Sequence, residues 1–278
     1  MFLSELCDLL DIRKDAQRMI MGIEDQLDFT NLVEELEQMR NPNTWNLLLG
    51  NRKAALEPDE DGMKILTYQL RMVCLVYDSY KLLGISEEIF VSTMKFFTRF
   101  LHDYMDRHGT YRYQWAWWAV RQISMLEFRI GELEYELRTE NESAKKIIDI
   151  HIPADADISL NKLRESYVRA REFIAKFYPH YIEAEWSCSS WLLAPTLVQV
   201  LPTTSKILQF QKSFIITKVD EESIGFMDWV YGRKDIPIDE LPEKTLLQRN
   251  LKKYLQNQGK IGWTTGTLIA EPFLNYND

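Results

Sequence analysis

The polar and apolar positions of this chain change period once, and the change divides it. Up to about residue 125, apolar residues recur three and four apart, the spacing of helices buried along one face. From Met63 to Lys81, the residues Leu66, Leu70, Val73, Tyr77 and Tyr80 form one stripe. From Glu87 to Met105, a second stripe is made by Phe90, Met94, Phe97, Leu101 and Tyr104. Between them Gly84 suits the residue after a helix, Ser86 the next N-cap, and Ile85 with Phe90 the two ends of a hydrophobic staple. The spacing predicts an antiparallel helical hairpin. Upstream, Asn41-Pro42-Asn43 separates two further helices, and the acidic run Glu57-Pro58-Asp59-Glu60-Asp61-Gly62 reads as a loop.

From Met125 the period becomes two. Leu126 to Leu137 gives two short strands around Gly131-Glu132, a hairpin turn with glycine first. Ile147 to Ile152 is a β-branched run closed by Pro153, which cannot donate to a ladder. Ser159 can cap a helix whose residues Leu163, Tyr167, Ala170, Ile174 and Phe177 would lie on a sheet, with Pro179 ending it. Beyond come the cluster Trp186 to Trp191, a short helix near Thr196 to Val200, and strand material at Ile207 to Phe214 and Ile215 to Val219. A helical turn near Met227 to Tyr231, a helix from Glu243 to about Gln256 stopped by Gly259, and a strand-like Lys260 to Ile269 complete the chain. The expected class is α+β, with a helical N-terminal domain over 1–122 packed on a mixed-sheet domain over 123–278.

Composition narrows the function classes. The chain has 278 residues, 46% of them hydrophobic and 12% aromatic, enough to bury a substantial core. Its net charge of −9 and pI near 5.1 argue against a nucleic-acid partner, whose phosphates need clustered Lys and Arg. No apolar run approaches the ~18 residues needed to span a bilayer, and the start Met1-Phe2-Leu3-Ser4-Glu5 lacks a basic flank, so a cytoplasmic protein is expected. Cys7, Cys74 and Cys188 are too far apart for a metal knuckle or a disulfide framework; Cys7 and Cys74 sit among apolar helical neighbours and read as core thiols. No metal site is expected, because His102 and Asp106 share a helical face but make too few ligands.

Several segments together resemble a bacterial acyltransferase family with a helical N-terminal N-acyltransferase domain and a GNAT-like C-terminal domain. They are Phe128 to Leu133, Ile150-His151-Ile152-Pro153, Ser190-Trp191-Leu192-Leu193, Ile207 to Gln211 and Leu241 to Arg249. The resemblance implies transfer of an acyl group from acyl-CoA, as co-substrate, to an amine of a small molecule or peptide. It also implies that the strand at Ile147 to Ile152 splays from its neighbour, so that backbone near Ile150 and Ile152 meets pantetheine. The loop Pro153-Ala154-Asp155-Ala156-Asp157 and the next helix N-terminus would then take the pyrophosphate. The family's glycine-rich loop is replaced here by a stretch without glycine, which leaves a second reading open: a non-catalytic ligand- or partner-binding module on the same fold.

Asp149 and His151 are two apart on a predicted strand and so share a face, with Ile148, Ile150 and Ile152 on the other. A histidine there could take the proton from an amine attacking a thioester; a hydrogen-bonded histidine at a strand end is the structural alternative. Ser189 or Ser190 could protonate the departing thiolate, as hydroxyls or thiols do in the resembled family, and Cys188 could act as nucleophile. Trp186 and Trp191 could contact substrate, although such aromatic clusters commonly serve packing. Arg129 could meet a carboxylate or phosphate, or pair with a glutamate across a hairpin. Trp115, Trp117 and Trp118 could line an acyl or acceptor cleft, with core packing the plainer role.

Overall fold

A computed structural model describes residues 1–140 and 142–269. The chain divides into two compact units, 1–130 and 131–278. The first contains α1 (Leu3–Leu9), α2 (Lys14–Glu24), α3 (Leu32–Met39), α4 (Trp45–Leu56), α5 (Met63–Leu83), α6 (Glu87–His108), α7 (Ala116–Ile123) and strand β1 (Glu127–Ile130). Helices α5 and α6 supply a large part of its core. Both predicted stripes face inward, and Tyr77 and Tyr80 meet Phe90 edge-on at 5.0 and 5.2 Å beside the joint. Gly84 takes φ +72° after α5, and the Ser86 hydroxyl accepts from the Ile89 amide to start α6.

The acidic loop before α5 has a definite task. The Asp59 carboxylate accepts from the amides of Lys64 and Ile65, both at 2.9 Å, and Asp61 accepts from that of Met63 at 3.0 Å. These are donors at the helix start that have no acceptor within the helix. His102 and Asp106 both meet Arg13. His102 accepts from the Arg13 amide at 3.2 Å, and Asp106 takes the guanidinium with both oxygens at 2.6 and 3.0 Å.

The second unit runs β2 (Leu133–Thr139), β3 (Lys146–His151), α8 (Leu160–Phe177), β4 (Glu185–Ser190), α9 (Lys206–Gln211), β5 (Phe214–Asp220), α10 (Phe226–Tyr231), α11 (Leu246–Gln256) and β6 (Trp263–Leu268). Its strands lie in the order β2-β3-β4-β6-β5. The β3·β4 pair is parallel and the others are antiparallel, so the sheet is mixed and the fold is α+β. A parallel pair needs a long crossover, and α8 provides it. Helix α8 covers the sheet face that carries Tyr135, Ile148, Ile150 and Cys188, burying Leu163, Tyr167, Ala170 and Ile174 in doing so. The Ser166 hydroxyl ties the layers together, 2.8 Å from the Tyr135 hydroxyl and accepting from the Leu133 amide at 3.3 Å. Gly131 is constrained twice, by φ +65° and because an added Cβ would lie 3.0 Å from Ser166 Cβ and 3.1 Å from its Cα.

Three predicted details differ. Ile207 to Gln211 is helix α9, not strand, and the strand begins at Phe214. Ser205 caps that turn by accepting from the Ile207 amide, and Gln211 is anchored by donating to the carbonyls of Leu192 and Ala194 at 2.9 Å. A short apolar run does not declare its period, so the cap decided it. Helix α11 starts at Leu246, where Thr245 and Gln248 form a reciprocal capping box. After it the residue with positive φ is Gln258, at 62°, whereas Gly259 makes room for the Tyr254 ring, 2.4 Å from where a Cβ would stand.

Asp59→Ala removes both amide acceptors at the start of α5 and should lower stability by about 1 kcal/mol. Urea denaturation checks this, and an unchanged midpoint would show that the loop does not cap the helix.

Candidate active site at the β3–β4 fork

The β3·β4 ladder pairs Ile147 with Glu185, Ile148 with Trp186, Asp149 with Ser187 and Ile150 with Cys188, and goes no further. Past Cys188, β4 pairs with β6 on its other side, Ser189 opposite Thr265 and Ser190 opposite Thr264. The two parallel strands therefore part after Ile150 and Cys188. His151 and Ser189 are the first residues on the two arms. Alternation places both on the face that carries Asp149 and Ser187, opposite to α8.

This face is polar well inside the sheet. Cross-strand register sets Glu136 opposite Asp149 and Glu134 opposite His151, and both glutamates are buried, at 4% and 6% exposure. His151 Nε2 lies 2.9 Å from Glu136 Oε2, reaching it on the diagonal. Asp149, the partner expected for His151, instead pairs with Arg138. Burial pushes the Asp149 carboxyl above the usual carboxylate range, opposed by the Arg138 and His151 charges. Glu136 was visible in the sequence as one of the polar alternates of β2. Only the register shows which carboxylate reaches the ring.

Cys188 points to the other face and is fully buried, and desolvation raises its thiol pKa strongly, with the Asp149 charge adding to the effect. A thiol held protonated is a poor nucleophile. Ser189 is exposed; its Oγ accepts from Trp263 Nε1 at 3.0 Å and lies 3.0 Å from Thr265 Oγ1. Trp186 packs edge-on against Tyr135 at 5.4 Å between ring centres, and Trp191 belongs to the apolar core built from Leu197, Phe226, Leu251 and Ile261. Arg129 lies on β1, in the first unit, with its amide donated to Thr93 Oγ1 at 3.0 Å. In that unit too, Trp115 meets Phe100 at 4.2 Å, and the Arg121 guanidinium covers Trp118 at 4.3 Å.

The loop after β3 is closed on itself. The Ala156 amide donates to the Pro153 carbonyl at 3.0 Å, that of Asp157 to Glu132 Oε2 at 2.9 Å, and that of Ser159 to Asp157 Oδ1 at 3.0 Å. Asp157 also holds Lys206 at 2.7 Å, and that hydrogen bond keeps its carboxyl below the usual range. Ser159 has N-cap backbone geometry, but its hydroxyl makes no capping bond. Ala154 and Asp155 form the exposed turn. The amides at the first turn of α8 follow, with exposed Lys162 and Arg164 beside them.

Known proteins give these features a family. The GNAT-like C-terminal domain model matches residues 127–268 and the N-acyltransferase N-terminal domain model matches 1–125. The chain belongs to the family of the GNAT-like C-terminal domain, preceded by a region matching that N-terminal domain. No protein of curated function matches it. Among solved structures, an acyltransferase in complex with decanoyl-CoA and teicoplanin superposes with a TM-score of 0.77 at 19% identity, over 95% of this chain and 86% of that one. Another acyltransferase structure, in complex with decanoyl-CoA, gives 0.66 at 16% identity, over 96% and 99%. At these identities the likeness is one of fold. No helix among the described residues is long and apolar enough to cross a membrane.

Burial places all three thiols beyond easy reach. Desolvation pushes Cys7 up to about 12 and Cys74 up to about 11, and Cys188 moves in the same direction. A disulfide reagent at pH 8 should label none of them rapidly in the native protein and all three in denaturant. Rapid native labelling at Cys188 would show that its burial is not maintained in solution.

Proposed function

We propose that this chain transfers an acyl group from an acyl-CoA to an amine of a small molecule or peptide by direct attack. The observation that carries the reading is the parallel β3·β4 pair that parts after Ile150 and Cys188, with the His151–Glu136 pair one residue beyond. A parallel ladder that stops within the sheet offers strand edges as a template for an extended polar chain such as pantetheine. The family membership and the acyl-CoA complexes of similar folds support the same reading.

In this reading the amine nitrogen attacks the thioester carbonyl carbon, a C–N bond forms, and the C–S bond breaks to release CoA thiolate. His151 accepts the proton that the amine gives up. With Glu136 ionised, the proton between them sits on Nε2, because a carboxylate only accepts, and Nδ1 then carries the lone pair. Glu136 holds the ring and stabilises the imidazolium. Ser189, on the opposite arm, donates to the sulfur as it gains charge. Cys188 takes no part, since its thiol is buried and protonated. The amides of Ala156, Asp157 and Ser159 are already donated to Pro153, Glu132 and Asp157, so the pyrophosphate contact falls to the first turn of α8 with Lys162 and Arg164. Asp157 is neutralised by Lys206 and does not oppose it.

The same spent amides favour a second reading, a binding module that keeps the fold without the chemistry. Calorimetry with CoA, acetyl-CoA and decanoyl-CoA separates the two, and saturable binding of an acyl-CoA, with transfer of its acyl group to an amine acceptor and release of free CoA, is the expected result. His151→Ala should keep that binding and lower turnover roughly 10²- to 10⁴-fold. Turnover unaffected by the substitution would remove His151 from the mechanism, and absence of acyl-CoA binding would leave the non-catalytic module.

A further inference from the structure

We infer that Trp263 and Thr265 are positioning residues that hold the Ser189 hydroxyl as a hydrogen-bond donor toward the β3–β4 fork. The inference rests on the acyl-transfer reading of that fork.

A serine hydroxyl has two lone pairs and one proton, and what it offers a ligand depends on which of these its neighbours consume. The indole nitrogen of Trp263 is donor only, so its 3.0 Å bond to Ser189 Oγ consumes one lone pair. Thr265 Oγ1, at 3.0 Å, is the second neighbour, and either hydroxyl can donate in that pair. When an acceptor stands at the fork, Thr265 donates to Ser189, both lone pairs are filled, and the Ser189 proton is left for the acceptor. The exchange needs two hydroxyl rotations and no movement of heavy atoms. Donors feeding into an oxygen also polarise its O–H, so the remaining hydrogen bond is strengthened.

The scaffold holds this arrangement in place. Thr265 is the direct partner of Ser189 in the β4·β6 ladder, and Trp263 is two residues earlier on the same face. The Trp263 ring packs against the C-terminal apolar core and lies on Gly225, where an added Cβ would come within 2.9 and 3.0 Å of its Cε3 and Cζ3 carbons. The indole N–H is therefore aimed by packing rather than by Ser189 alone. Ser189 in turn stands one residue past the last β3·β4 pair, as the β4 counterpart of His151. One arm of the fork presents a proton acceptor and the other a hydroxyl tuned to donate.

The test is a double-mutant cycle on turnover in the full chain, with acyl-CoA affinity measured in parallel. Thr265→Val and Trp263→Phe should each lower kcat on the order of tenfold, the value of one hydrogen bond to a charged group, with little change in acyl-CoA affinity. Thr265→Ser, which keeps the hydroxyl, should retain wild-type kcat. In a Ser189→Ala background neither Thr265→Val nor Trp263→Phe should lower kcat further. Equal losses with and without Ser189 would show a merely structural role and overturn the inference while leaving acyl transfer standing. If Trp263→Phe fails to fold, the Thr265→Val and Thr265→Ser pair decides alone. Wild-type protein that binds no acyl-CoA would overturn the acyl-transfer reading and the inference with it, an outcome distinct from turnover without coupling.

Discussion

The site depends on one pairing constraint, the parallel contact between β3 and β4. Parallel neighbours require a crossover, and α8, the crossover here, fills one face of the sheet with Tyr167, Ala170 and Ile174. With that face committed to packing, the carboxylates Glu134, Glu136 and Asp149 and the His151 ring fall on the other. The fork follows from the same constraint. Strand β4 keeps β6 on its other edge from Ser187 to Ser190, while its pairing with β3 stops at Cys188.

Concentrating carboxylates on an enclosed face is costly. A buried ion carries a penalty of roughly several kcal/mol unless partners compensate it. Glu136 has His151 and Asp149 has Arg138, so the charges are interleaved across the two strands. Such an arrangement contributes little net stability, yet it fixes side-chain directions to which a packed apolar face would be indifferent. The rigidity that orients His151 is a product of that compensation.

Much of this was legible in the sequence wherever the deciding signal was local. Gly84 and Ser86 announce the joint between α5 and α6, the isoleucines of β3 show which face is buried, and Pro179 ends α8 within two residues. Non-local choices were not legible. Glu134, Glu136 and Asp149 are equally plausible partners for His151 until the β2·β3 pairing brings all three to one face and the ring is seen to reach the diagonal Glu136. Trp263 lies 74 residues from Ser189, and nothing in its neighbourhood marks it as more than a strand aromatic. Ile207 to Gln211 failed for another reason: apolar residues without a clear period leave the decision to a single capping serine.

The seam between Gly131 and Ser166 bears on how this fold can change over time. The glycine's position against α8 leaves little volume for a methyl group and its φ of +65° disfavours one, while the serine's hydroxyl serves both Leu133 and Tyr135. Neither residue can be exchanged independently, because relieving the contact by trimming Ser166 also orphans the groups it bridges. The two positions form an epistatic pair, and any drift in the sequence that begins at one must be answered at the other before the layers can separate.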